Sequence, residues 1–237
     1  MSDADVDELR EIDVTQSLRD GHQTFLGLDL LCGPGALVPR PETELLGRTA
    51  IEKVQAAGAA PRVIDVCCGA GNLGCAIATL VPGARVWATD LTDGCVGWAR
   101  RNVDHLQLGD RLTVRQGDLF AGLAADGLEG SIDVIVCNPP YISSGRLATD
   151  RASLLDNEPR EAFDGGPYGL TIHQRVLKEA LPFLKPGGWL LFEIGEGQDR
   201  QIALLFQRAR AYEDIGLARN AAGTPRVAFG RVKAATA

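Results

Sequence analysis

The sequence predicts a doubly wound, mostly parallel α/β sheet of seven strands that ends in a C-terminal antiparallel hairpin. Three observations carry that expectation. From residue 62 onward, short apolar runs alternate with helical stretches, the pattern of successive βα units. A glycine-rich turn, Gly69-Ala70-Gly71-Asn72-Leu73-Gly74, joins the first of those strands to its helix. The last two strands, between Tyr212 and Val232, are joined through Ala222-Gly223-Thr224 with no helix between them, which predicts one antiparallel strand near an edge.

The elements follow in order. Residues 1 to 30 are acidic, with a weak helical pattern around Val6, Leu9 and Val14. The alternating apolar residues from Phe25 to Leu31 predict a short strand or hairpin. Residues 1–36 are therefore expected to be a short extension, and 37–237 the main domain. Pro39 and Pro41 hold an extended segment, and Pro41 can open the helix that follows. Glu42 and Glu44 fall in its first turn, where the helix dipole favours acids, and Gly58 stops it. Core strands are expected at Arg62–Cys67, Arg85–Thr89, Leu112–Gln116, Ile132–Cys137 and Trp189–Ile194. Helices are expected from the glycine turn to Leu80, from Asp93 to Leu106, from Thr171 to Leu184 and from Gln198 to Arg210. A turn is expected at Pro186-Gly187-Gly188. The stretch from Ile142 to Gly169 has no regular pattern, and a loop that long inside a compact domain is usually functional; we expect a lid.

Composition narrows the function. The chain has 237 residues, 45% hydrophobic and 23% charged, enough for one sizeable core. A net charge of −7 argues against a mainly electrostatic grip on nucleic acid. No stretch is apolar enough to span a bilayer, and the acidic N-terminus has no apolar signal core, so a cytoplasmic protein is expected. The six cysteines form no Cys-x-x-Cys pair and read as small buried hydrophobes. The three histidines are scattered, so no metal site is expected.

Two stretches point to chemistry. The first is the glycine turn, where a ligand can approach bare backbone. Gly69, Gly71 and Gly74 fit a dinucleotide turn equally well, and Asp90 has the spacing of a ribose-binding acid. Asp65, inside the strand, suits a ligand's charged end, and Asp118 after the third strand could meet an adenine amino group. So many acids would repel a pyrophosphate but not a sulfonium with an amino-acid tail. The second stretch is Asn138-Pro139-Pro140-Tyr141. Two prolines cannot continue a central strand, so the chain must turn out of the sheet at the carboxyl end of a strand, where open α/β sheets keep their ligands. The corner offers the Asn138 side-chain oxygen and the carbonyls of Asn138 and Pro139 as acceptors, with Tyr141 as an aromatic face. That suits a planar NH2 group.

Together these residues resemble the class I S-adenosylmethionine-dependent methyltransferases, and within them the HemK/PrmC group, which methylates a glutamine side-chain amide in peptide chain release factors. The resemblance rests on Val38-Pro-Arg-Pro-Glu-Thr-Glu44, Asp65-Val-Cys-Cys-Gly-Ala-Gly71, Asp118-Leu119-Phe120, Asn138-Pro-Pro-Tyr141, Glu158-Pro-Arg160, Gly165-Gly166, and Glu193-Ile-Gly195 before Gln198. It implies S-adenosylmethionine as cofactor, held near Asp65, Gly69, Gly71, Asp90, Asp118, Leu119 and Asn138, and a catalytic amide clamp at Asn138, Pro139 and Tyr141. It implies a release factor, or another protein or small-molecule amide, as partner. Family members usually carry a helical N-terminal domain that helps recognise the protein substrate, and the resemblance implies that most of it is lacking here. An N-methyltransferase acting on a natural product with the same clamp is the alternative. A nicotinamide-dependent oxidoreductase lacks an obvious hydride-site acid. A nucleic-acid adenine methyltransferase fits the acidic charge poorly.

Overall fold

The structure, a computed structural model, describes residues 12–149, 151–156 and 158–234. Its centre is set by strands whose interior positions are all buried, so each lies between two covered faces. These are β3 (Arg62–Val66), β4 (Arg85–Asp90) and β6 (Ile132–Cys137), the last buried along its whole length. They join β5 (Leu112–Gln116), β7 (Leu184–Glu193), β8 (Tyr212–Arg219) and β9 (Pro225–Val232) in one seven-stranded sheet of order β5-β4-β3-β6-β7-β9-β8. The first five are mutually parallel, and β9 is antiparallel to both β7 and β8. The hairpin expected from the sequence is therefore present, with its antiparallel strand one place in from the edge.

Alternation along the strands divides the core in two. Val63 faces one layer, packed with Leu46, Ala50 and Val54 of α2 (Glu44–Ala56) and with α3 (Asn72–Leu80) and α4 (Asp93–His105). Ile64 and Val66 face the other, packed with α6 (Thr171–Glu179) and α7 (Asp199–Ala209). Each fully buried Leu, Ile or Phe in these layers contributes about 1.5–3 kcal/mol. The chain winds outward from β3 to β5 and then crosses back to β6. The strand order therefore reverses between β3 and β6, and a crevice opens beyond their carboxyl ends.

The N-terminal part differs in detail from the expectation. α1 (Val14–Asp20) is capped by Asp13 and leads into a hairpin, β1 (His22–Phe25) and β2 (Leu28–Leu31). The alternation from Phe25 hid the turn, because its first residue is apolar. Leu26 and Gly27 both have positive φ, 48° and 77°, as a two-residue hairpin loop requires, and the Leu26 N–H is pinned by Glu44 Oε1 at 2.7 Å. Phe25 and Leu30 are fully buried in the same layer as α2. The helical pattern at Val6 and Leu9 lies outside the described residues.

Two boundaries also moved. α6 ends at Glu179 rather than Leu184, and β7 begins at Leu184 rather than Trp189. The register against β6 jumps from Ile132–Leu184 to Val134–Trp189, so Pro186-Gly187-Gly188 forms a bulge inside the strand. A bulge can hold a proline because its missing N–H is not needed in the ladder. The segment after β6 holds α5 (Ser144–Ala148) and two short 3-10 turns, Ala152–Asp156 and Arg160–Ala162.

Candidate active site

The glycine turn is built by hydrogen bonds to two acids. Asp90, at the end of β4, accepts from Gly69 N at 2.9 Å and Thr92 N at 3.2 Å. Asp65, fully buried in β3, accepts from Gly74 N at 2.8 Å through Oδ2, while its Oδ1 has no partner. Burial pushes the Asp65 carboxyl up to about 7, opposed by the Gly74 N–H. Burial also raises Asp90 above the usual carboxylate range. Gly71 sits at φ 83° with Ala99 Cβ only 3.2 Å from where its own Cβ would lie, so both conformation and space require glycine. Cys67, just before the turn, also has positive φ, 57°. It is the one half-buried cysteine of six, and it lines the cleft, unlike the buried hydrophobes expected from the sequence.

The turn opens onto a cleft of about 430 Å³, lined by Gly69, Asp90, Asp118, Leu119, Asn138 and others. Asp65 and Gly71 shape the turn from beneath and do not line it. Asp118 stands at the rim, about half exposed, and its carboxylate is gripped by Arg175 Nη1 at 2.9 and 3.1 Å.

The Asn-Pro-Pro-Tyr corner faces a second cavity of about 930 Å³, lined by Asn138, Pro139, Tyr141, Glu42, Glu193 and Arg226 among others. Asn138 lines both cavities, with Leu37, Arg40 and Ala162. Its Nδ2 donates to Thr43 Oγ1 at 3.1 Å. The Tyr141 ring is fixed from behind. Its hydroxyl donates to Glu193 Oε1 at 3.0 Å and accepts from Arg226 Nη2 at 3.1 Å, and the Arg226 guanidinium lies 5.7 Å from the ring centre. Burial pushes Glu193 up to about 7, with Arg226 opposing. His173 Nε2 lies 2.9 Å from the Glu193 carbonyl, and burial lowers its pKa to about 4, which keeps the ring neutral.

The segment from Ile142 to Gly169 is tied to this corner. Ile142 N donates to Phe163 O at 2.9 Å, and Gly165 N donates to Ile142 O at 2.8 Å. Gly165 is pressed so close that a Cβ would lie 2.7 Å from Pro140 O. Gln198 Nε2 donates to the carbonyls of Tyr141 and Gly169. Glu158, buried, accepts from Val38 N at 2.9 Å and pairs with Arg40, strapping this segment to the one before α2. Sequence reasoning placed Glu158 only in the polar lid and assigned no role to Thr43, Glu193 or Arg226. Thr43 and Glu193 stood in motifs already singled out; Arg226 carried no signal, since an arginine in a terminal hairpin reads as surface.

Among the described residues, no cluster of His, Cys, Asp or Glu is placed to hold a metal ion, and no helix is long and apolar enough to cross a membrane.

Residues 43–162 match the model of the methyltransferase small domain family. The release factor glutamine methyltransferase of Geobacter sulfurreducens is 34% identical over 212 residues, covering 90% of this chain and 71% of that protein. That of Moorella thermoacetica is 35% identical over 206 residues, covering 87% and 71%. Among solved structures, the hMettl16 catalytic domain in complex with the MAT2A 3′UTR hairpin 6 aligns at a TM-score of 0.65 and 16% identity, covering 91% of this chain and 78% of that one. The ribosomal protein L11 methylase of Lactobacillus delbrueckii aligns at 0.57 and 19%, covering 89% and 90%. At those identities the structures establish the fold alone. Fold and family together define a class I methyltransferase that takes its methyl group from S-adenosylmethionine. The chain belongs to the release factor glutamine methyltransferase family, the HemK/PrmC group.

Proposed function

We propose that this enzyme methylates the side-chain amide nitrogen of a glutamine in a peptide chain release factor. The observation that carries the reading is the meeting of the two cavities at Asn138, one floored by the glycine turn and the other walled by Pro139 and Tyr141. S-adenosylmethionine supplies an electrophilic methyl on a sulfonium. Its binding residues would be Gly69, Asp90, Asp118 and Leu119, with Asp65 and Gly71 shaping the turn below them. The bare backbone at Gly69 and the carboxylate of Asp90 fit a nucleoside with an amino-acid tail.

An amide nitrogen is a poor nucleophile because its lone pair is delocalised. The protein's contribution is position. The substrate N–H groups donate to Asn138 Oδ1 and the Pro139 carbonyl, which turns the lone pair toward the methyl. The amide plane lies on the face of Tyr141 that Arg226 leaves free. Holding both reactants in near-attack geometry can supply roughly 7–11 kcal/mol. Acceptors that bind better as the nitrogen becomes positive add a transition-state term. The methylated nitrogen then releases its extra proton to solvent in the acceptor cavity. We assign residues 37–237 as the catalytic unit, with 1–36 an extension whose described part packs against it, and the cytoplasm as the working compartment. Mass spectrometry of release factors incubated with enzyme and S-adenosylmethionine tests the reading. One added methyl on a glutamine is expected; an unmodified glutamine, with methyl transfer to a small-molecule amide instead, would overturn it.

A further inference from the structure

Asn138 can serve as an acceptor only if its amide is the right way round. A half-turn about its last bond exchanges Oδ1 for Nδ2 and presents a donor to a substrate that is itself a donor. Something must choose between the two orientations. Nδ2 donates to Thr43 Oγ1 at 3.1 Å, and among the described residues Oδ1 accepts no hydrogen bond, so it stays open where the cavities meet. A threonine hydroxyl has one hydrogen and can either give it to Asn138 or accept from it. The other neighbour of Thr43 decides which.

That neighbour is Glu193, at the carboxyl end of β7 and only 1% exposed. Its Oε1 is taken by Tyr141. Its Oε2 is buried and has no hydrogen-bond partner among the described residues, and the Thr43 hydroxyl is one of the groups that favour the ionised carboxylate. An ionised carboxylate only accepts. The Thr43 hydrogen therefore belongs to Glu193, the Thr43 lone pair to Asn138 Nδ2, and Asn138 Oδ1 to the substrate.

We propose that Thr43 and Glu193 are positioning residues for the methyl transfer, a two-step hydrogen-bond relay that fixes the Asn138 amide with its oxygen toward the acceptor. The inference rests on the reading of Asn138 as the amide clamp. It gives the segment before α2 a role in the reaction: that segment carries the hydroxyl that orients a side chain from the far side of the crevice.

The relay has a pH signature. The groups facing Glu193 are Arg226 from β9, Tyr141 from the corner, Glu42 and Thr43 from the turn before α2, and His173 of α6 on its carbonyl. When Glu193 takes up a proton, it can donate to Thr43. The Thr43 hydrogen is then free to turn to Asn138 Oδ1, and the wrong orientation becomes accessible. Turnover should rise with pH through Glu193's pKa, near 7. Asp65 titrates in the same window, so the limb must be assigned by substitution.

The test measures kcat, KM for each substrate and the pH profile of release factor methylation for Thr43→Val, Thr43→Ser, Glu193→Gln and Asn138→Ala. Thr43→Val should lower kcat on the order of tenfold, the worth of one neutral hydrogen bond, leave KM for S-adenosylmethionine unchanged and erase the limb near 7. Thr43→Ser should restore both rate and limb. Glu193→Gln should be slow at every pH, without the limb. A wild-type rate and limb in Thr43→Val, or a serine no better than the valine, overturns the relay. Should Thr43→Val fail to fold by circular dichroism, the profile of Glu193→Gln decides: a limb that persists overturns the proposal. An active Asn138→Ala would instead overturn the clamp, whereas an inactive Asn138→Ala beside a fully active Thr43→Val sinks only the relay.

Discussion

At the scale of single residues, Asn138 and Asp90 separate chemistry from binding. Asn138→Ala removes one acceptor and leaves the glycine turn intact. Turnover should fall on the order of 10²–10³-fold, by analogy with loss of one oxyanion-hole donor, while calorimetric affinity for S-adenosylmethionine stays nearly constant. Parallel loss of both would place Asn138 in the cofactor shell or the fold. Asn138→Asp keeps an acceptor facing the cavity and should lose less activity than the alanine. Asp90→Ala should do the opposite. Asp90 holds Gly69 N and Thr92 N as well as facing the cleft, so cofactor affinity should weaken by about 1.5–3 kcal/mol; unchanged calorimetry would remove it from the site. Asp65 gives a stability prediction. Its carboxyl rises from an ordinary 3.8 to about 7 on folding, so between those values the folded protein holds a proton the unfolded chain has released. Stability from this group is present below about 4 and is lost as pH rises to about 7. Asp65→Asn keeps an acceptor for Gly74 and should flatten that fall in Tm, by about 2–4 °C for each kcal/mol removed. A slope equal to the wild type's would show that Asp65 does not titrate there.

At the scale of elements, the corner and the segment over it act as one body. Gly165 touches the corner backbone, so Gly165→Ala must shift Pro140 or its own loop. The expected result is a loss of turnover with cofactor affinity kept; equal kinetics would mean that the corner tolerates displacement. Glu158 ties the same body to the chain before α2. Glu158→Ala leaves the Val38 N–H and Arg40 without their partner, which should cost about 1–3 kcal/mol of stability and speed amide exchange between Ile142 and Gly169. In the wild type, that exchange should slow when cofactor and acceptor are both present. Rates indifferent to either ligand would leave the segment a static wall rather than a lid.

At the scale of the whole molecule, the parallel sheet, the glycine turn and the terminal hairpin were legible because each depends on local pattern: apolar runs, glycine at positive φ, strands without a helix between them. The corner was legible because Pro139 and Pro140 forbid a strand. What joins the corner to its neighbours was not. Thr43, Glu193 and Arg226 stand far apart in sequence and meet only because β9 pairs beside β7 and α2, which Thr43 precedes, packs on both. No periodicity records such a meeting. The β7 start was misplaced for a related reason: Pro-Gly-Gly is turn chemistry locally, and only pairing with β6 makes it a bulge.

The position of β9 also has a consequence for how the enzyme comes into being. β9 is the last of the described strands, yet it lies between β7 and β8, so both of those strands are synthesised before the one that separates them. Until residues 225–232 leave the ribosome, β7 presents a bare edge, and the Glu193 carboxylate at its end has no Arg226 beside it. The nascent chain can fold its glycine turn and five parallel strands early, but the acceptor side of the active site must assemble last. An arrested chain stopping at residue 224 should therefore bind S-adenosylmethionine better than it methylates anything, and its open β7 edge should recruit chaperones or neighbouring chains.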